Sequence, residues 1–202
     1  MDKIYNKEDI TAVILAGGRG SRMGGTDKGL QNFKGTPMAL HALMRVGSQV
    51  GYCMVNANRN LSAYESFGAE VWPDGNDEFA GPLSGFVVGL EHCETPYLLT
   101  VPCDTPYFPI DLASRMVQGL EAVDADIAMA IKAGHTQPVF CLIKHHMLES
   151  LLAFMKSGGR KIDAWTGGQN TVLVHFDEAR DDPRAFANAN TAQELMALEE
   201  PA

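Results

Sequence analysis

The 202-residue chain contains no run approaching the roughly 20 apolar residues that span a bilayer. Its opening stretch, Met1 to Asp9, is charged and has no apolar signal core. Both absences lead to the expectation of a cytoplasmic protein without a membrane partner. The four cysteines, Cys53, Cys93, Cys103 and Cys141, include no C-x-x-C pair. Zinc and a disulfide framework are therefore not expected, and buried free thiols are. The six histidines form no H-x-x-x-H pair, and no Ser-His-Asp or Cys-His nucleophile set stands out. Positive charge is scarce: Lys and Arg number 16 against 25 Asp and Glu, a net charge of −9. An acidic surface argues against nucleic acid as a partner. Repeats, low-complexity tracts and linkers are absent as well.

At 46% hydrophobic, the chain reads as one globular domain over residues 1–202, with 1–9 and 199–202 expected to fray. Apolar strand-like runs alternate with helical patterns. This predicts an α/β fold with a largely parallel sheet. Strands are expected at Ile10–Ala16, Tyr52–Asn56, Glu70–Trp72, Tyr97–Val101, Asp126–Lys132, Val139–Lys144 and Thr171–Phe176. Helices are expected from Thr36-Pro37 to Gly47, with Thr36 as cap, and at Leu61–Phe67, Leu83–Cys93, Asp111–Val123, His146–Lys156 and Arg160–Trp165. Thr191 and Glu194 have the spacing of a capping box that opens a last helix. The two strands close to His135 imply a hairpin-like excursion.

The densest signal is Leu15-Ala16-Gly17-Gly18-Arg19-Gly20-Ser21-Arg22-Met23-Gly24-Gly25-Thr26-Asp27-Lys28-Gly29. Six glycines, two arginines and one lysine fill fifteen positions just after the first strand. Glycines let backbone approach a ligand, and clustered amides and cations suit a polyphosphate. On an acidic protein, such a local cationic loop is the more telling. The P-loop pattern fails, because Gly29 stands where Ser or Thr should follow Lys28. The dinucleotide fingerprint G-x-G-x-x-G starts at Gly18 and breaks at Met23, which sets a dehydrogenase aside.

Other polar residues follow strands, where open α/β sheets gather ligands. Asn56 has an amide that can read a base or ribose edge, or it starts a turn. Asp74 can accept from the N1–H and N2–H₂ edge of guanine, or it is a solvated loop residue. Gly81 to Gly85 either admit a base against backbone or serve a tight helix entry. Asp104, bracketed by Pro102 and Pro106, is placed to hold Mg²⁺ or to cap a helix. Asn188 and Asn190 either serve the site or help to start the last helix. His135, Arg160 and Lys161 are candidates to meet an acceptor or are simply solvated.

The pattern L-A-G-G-x-x-x-R-M-G-x-x-K resembles nucleotidyltransferases that activate sugars, isoprenoid precursors and pterins. Together with V-N-A-N-R at Val55–Arg59, Asp74, G-P-L-x-G at Gly81–Gly85, P-C-D-T-P at Pro102–Pro106 and N-x-N-T-x-x-E-L at Asn188–Leu195, it is similar to the molybdenum cofactor guanylyltransferase (MobA) family over most of the chain. The resemblance implies a three-layer Rossmann-like sandwich with a mostly parallel mixed sheet, like the nucleotide-diphospho-sugar transferases. It implies transfer of GMP from GTP to the terminal phosphate of molybdopterin, with release of pyrophosphate. By matched motif, Leu15, Ala16, Gly17, Gly18, Lys28, Asn56, Asp74, Gly81, Gly85 and Asp104 would bind GTP. Arg22, Lys28 and Asp104 would be catalytic, and Asp104 would hold Mg²⁺. Asn188 and Asn190 would approach the metal or the acceptor. Other proteins of molybdenum cofactor biosynthesis and its target proteins are implied as partners. The alternatives left standing are a cytidylyltransferase or sugar-phosphate nucleotidyltransferase of the same fold, and a non-catalytic GTP-binding module.

Overall fold

The computed structural model describes residues 5–17, 27–75 and 81–200. Its elements are β1 (Ile10–Leu15), β2 (Asn32–Phe33), β3 (Thr36–Pro37), α1 (Met38–Gly47), β4 (Tyr52–Asn56), α2 (Leu61–Glu65), β5 (Glu70–Trp72), α3 (Pro82–Glu91), β6 (Tyr97–Pro102), α4 (Leu112–Ala122), β7 (Ile127–Lys132), β8 (His135–Lys144), α5 (Leu148–Lys156), α6 (Ile162–Thr166), β9 (Thr171–His175) and α7 (Ala192–Glu199). Among the described residues no helix is long and apolar enough to cross a membrane.

A seven-stranded sheet in the order β5-β4-β1-β6-β8-β7-β9 forms the middle layer. β1 pairs in parallel with both β4 and β6, and only β8 runs against its neighbours. β1 is apolar except at Thr11, whose hydroxyl bonds that of Thr95, and is wholly buried at Ile10, Ala12, Val13 and Ile14, as a strand covered on both faces must be. Side-chain alternation sorts the apolar residues of the large sheet into two clusters, one on each face. Ile10, Ala12 and Ile14 meet α1 and α4 through Ala39, Leu43, Val46, Leu112 and Met116. Val13 and Met54 meet α3, α5 and α6 through Phe86, Leu90, Leu151 and Trp165 on the opposite face. The expected three-layer α/β sandwich is therefore present.

Local details differ from expectation in instructive ways. The helix at 38 does not use Thr36 as its cap. Thr36 pairs with Phe33 in a small antiparallel ribbon, and Pro37 takes the cap position without a side-chain hydrogen bond. The sequence Thr-Pro fits both a cap and an edge strand, and the Lys34-Gly35 turn, with positive φ at both residues, decides for the ribbon. β8 starts at His135, four residues before Val139, because Ala133 and Gly134 also adopt positive φ and close a tight β7–β8 hairpin. The register shift after Met129 lets Pro138 sit inside this pair. Tyr5 packs on the core and its hydroxyl donates to the Gln49 carbonyl, so contacts begin within the stretch expected to fray. All four cysteines are free, and Cys93, Cys103 and Cys141 are buried.

Chain order explains where a ligand would lie. From β1 the chain moves out to β4 and β5, then returns to the other side of β1 as β6. A crevice opens beyond the carboxyl ends of strands at such a reversal.

Candidate active site

The exits of β1, β4, β5 and β6 lie side by side, because Leu15 is level with Asn56 on one flank and Pro102 on the other, and Asn56 is level with Trp72. Backbone bonds continue past the strands: Ala16 N–H donates to Asn56 C=O at 2.8 Å and Cys103 N–H donates to Leu15 C=O at 3.2 Å. The register thus places Ala16, Gly17, Asn56, Asp74 and Asp104 along one rim.

On the β4–β5 side, Asp74 is the hub. Its Oδ1 accepts from Asn56 Nδ2 at 2.9 Å, and its Oδ2 accepts from Asn58 Nδ2 at 2.8 Å and Ser84 Oγ at 3.1 Å. Asn58 Oδ1 accepts in turn from Asp74 N–H at 2.8 Å. Asn56 is buried, and its amide also donates to the Trp72 carbonyl at 3.1 Å. A carboxylate has about four acceptor sites, so the three donors leave Asp74 oriented with limited spare capacity. Gly85 is buried in α3 directly against this hub. A Cβ there would lie 2.6 Å from Leu15 Cδ2 and 2.7 Å from Asn56 Oδ1. Gly17 is similar: a Cβ would lie 3.0 Å from Asn58 Nδ2 and 3.1 Å from Asn56 Oδ1. Gly81 precedes Pro82 at the start of α3 with φ of +128°, a conformation open to glycine.

On the β6 side, Lys28 Nζ lies 3.2 Å from Asp104 Oδ2 and donates to Asn190 Oδ1 at 2.8 Å. The Lys28 and Asp104 side chains are 21% and 20% exposed, so the pair is partly shielded yet reachable from solvent. The segment holding Asn190 is stitched to the β6 exit. Ala189 N–H donates to Asp104 C=O at 2.8 Å, and Thr105 Oγ1 donates to Asn188 Oδ1 at 2.6 Å. The capping box is complete: Thr191 Oγ1 accepts from Glu194 N–H at 3.1 Å, while Glu194 Oε2 accepts from Thr191 and Asn190 N–H at 3.0 and 2.7 Å. Burial, and after it the neighbouring Asp104 carboxylate, raises the Cys103 thiol far above its ordinary range, so this cysteine is an inert wall of the site.

Leu15, Ala16, Gly17, Lys28, Asn56, Asp74, Gly81, Gly85, Asp104, Asn188 and Asn190 are thus gathered along the sheet's carboxyl edge or in segments bonded to it. Gly18 and Arg22, with Arg19, lie outside the described residues. His135 is exposed on the β7–β8 hairpin. Arg160 spends its guanidinium on the carbonyls of Met155 and Gly159. Three residues did not stand out in the sequence: Asn58 and Ser84, which hold Asp74, and Asp27, which is bonded to Tyr64 and Asn60. Asp27 carried one usable signal, its place directly before the lysine.

Among the described residues no three His, Cys, Asp or Glu side chains converge. Asp104 and the Asn190 carbonyl oxygen both meet Lys28 Nζ, so two hard oxygen donors already share one cationic neighbour. That donor set suits a hard divalent ion that takes its other ligands from phosphate and water.

The family described as MobA-like NTP transferase domain matches residues 12–172. A molybdenum cofactor guanylyltransferase of Acidovorax ebreus is 61% identical, over 97% of this chain and 98% of that protein. One from Bordetella petrii is 62% identical, over 96% of this chain and all of that protein. Among solved structures, molybdopterin-guanine dinucleotide biosynthesis protein A of Archaeoglobus fulgidus superposes with a TM-score of 0.76 at 19% identity, covering 94% of this chain and 96% of that one.

Proposed function

Since the chain belongs to the MobA-like NTP transferase family, we propose that it is an enzyme that transfers GMP from GTP to the terminal phosphate of molybdopterin, forming the guanine dinucleotide cofactor and pyrophosphate. The observation that carries this reading is the single rim that unites Asp74 with Asn56 at one end and the Lys28–Asp104–Asn190 cluster at the other. The near full-length likeness to curated guanylyltransferases supports the choice of substrates.

The acceptor's phosphate oxygen attacks the α-phosphorus, and the bond to the β-phosphate oxygen breaks in line. Such chemistry asks a protein chiefly for position and charge. Asp74, held by three donors, would receive the guanine edge, and Gly85 and Gly17 leave room for Asn56 and Asn58 to hold it. The backbone at Ala16–Gly17 would face the phosphates, and the charge of Arg22 would add to their binding. Lys28 would move from Asp104 to the phosphate oxygens and offset charge in the transition state. Asp104, with the Asn190 carbonyl, would hold Mg²⁺, which supplies charge neutralisation at the α-phosphate when bound. The pterin would approach from the side of Asn188.

A nucleotide panel tests the reading. Pyrophosphate release should require molybdopterin and Mg²⁺ and should strongly prefer GTP over CTP, ATP and UTP. Equal turnover with CTP would remove guanine from the proposal, and GTP binding without any pyrophosphate would reduce the protein to a binding module.

A further inference from the structure

Asp27 immediately precedes Lys28 and caps the short 3-10 turn Lys28–Leu30 by accepting from Gly29 N–H at 3.2 Å. A cap needs only that bond. Here two further donors arrive from a separate element. The Tyr64 hydroxyl, on α2, donates to Asp27 Oδ1, and Asn60 Nδ2, at the start of α2, donates to Oδ2 at 2.9 Å. Tyr64 is wholly buried. Burial first, then the bond to Asp27, drives its hydroxyl far above the ordinary range, so it stays a donor. Its ring and hydroxyl lie over Gly29, where any Cβ would strike them. Asn60 adopts left-handed φ of +52°, a conformation asparagine tolerates, with its amide on Asp27. The Asp27 carboxylate, on the residue just before the lysine, is therefore held by three donors from two directions. One residue further on, the ammonium meets Asp104 and Asn190.

We infer that Tyr64 and Asn60 are positioning residues for nucleotidyl transfer, acting through Asp27 to aim Lys28 at the reacting phosphates. This rests on the transfer reaction proposed above. A wandering lysine would lose much of its value, because electrostatic catalysis depends on groups fixed before the reaction begins.

The test is kinetic. Tyr64→Phe keeps the buried ring and removes one donor, and Asn60→Gly keeps the left-handed backbone and removes the other. Each should lower kcat, Tyr64→Phe by about tenfold, the scale of one charged hydrogen bond. KM for GTP should stay within about twofold, because the loss falls on the transition state. The loss from Tyr64→Phe should shrink to less than about twofold in a Lys28→Met background, as expected for residues acting in series. An unchanged kcat with only a lowered Tm would overturn the inference, as would the same tenfold loss in both backgrounds. A parent enzyme that releases no pyrophosphate from GTP would instead defeat the proposed reaction itself. Normal parent activity, a damaged Lys28→Met and an undamaged Tyr64→Phe would remove only the positioning role.

Discussion

Replacing Lys28 with methionine separates what the lysine does for the fold from what it does for the reaction. Methionine keeps most of the aliphatic stem and removes the ammonium. The structure supplies the stability side. The ion pair to Asp104 spans 3.2 Å between side chains about one-fifth exposed, so water can hydrate the carboxylate left behind. Exposed pairs contribute about 0.2–1 kcal/mol, and fully buried ones cost about 3–5 kcal/mol when one partner is removed. This pair, about one-fifth exposed, lies between the two cases, and a loss of about 2 kcal/mol corresponds to a Tm drop of about 4–8 °C for a chain of this size. The reaction side is larger. A charged hydrogen bond made to developing charge is worth about 1.5–3 kcal/mol, or about 10–150-fold in kcat. Thermal unfolding and steady-state pyrophosphate release on one preparation give both numbers. A variant with near-parental kcat would refute the reasoning. So would a Tm drop beyond about 10 °C that tracks the activity loss, because the lysine would then be a structural strut.

Gly85→Ala should cost about 1–3 kcal/mol by overpacking and weaken GTP binding, since its Cβ would sit 2.7 Å from Asn56 Oδ1; calorimetric titration with GTP checks this, and unchanged affinity would detach Asn56 from nucleotide recognition. Burial lifts the Cys53 thiol from 9.0 to about 11, so alkylation at pH 8 should run about tenfold slower than in the unfolded chain, the lower thiolate fraction being partly offset by a more nucleophilic thiolate. For Asp181, burial opposes ionisation, but the hydrogen bonds from Arg115 outweigh it and hold the carboxyl below 3.8. That contribution is full above pH 3.8 and fades as pH falls through the lower folded value. Asp181→Asn should therefore destabilise at pH 7, with the gap to the parent closing in acid unfolding curves below pH 3.8.

The sheet was legible because its strands are short apolar runs separated by polar turns, and the sheet's inner strands are buried on both faces. The carboxyl rim was legible because Asn56 ends a strand, and Lys28, Asp74 and Asp104 follow one or a glycine-rich exit from one. What escaped was side-chain bonding between distant segments. Nothing local in Tyr64 or Asn60 marks them as partners of Asp27, 37 and 33 residues earlier in the chain. The Phe33–Thr36 ribbon escaped for another reason: Thr-Pro suits a helix cap as well as an edge strand, and two residues of pairing leave no periodicity to read. Gly85 was legible as a glycine of interest, but the structure gives it a packing duty toward Leu15 and Asn56 that no motif spacing reveals.

The most direct measurement is anomalous scattering from crystals grown with Mn²⁺ and a non-hydrolysable GTP analogue. The expected result is a manganese peak bonded to the Asp104 carboxylate and the α-phosphate, Lys28 Nζ shifted onto phosphate oxygens, and the guanine edge on Asp74. A nucleotide bound with the Lys28–Asp104 pair intact and the metal elsewhere would contradict it.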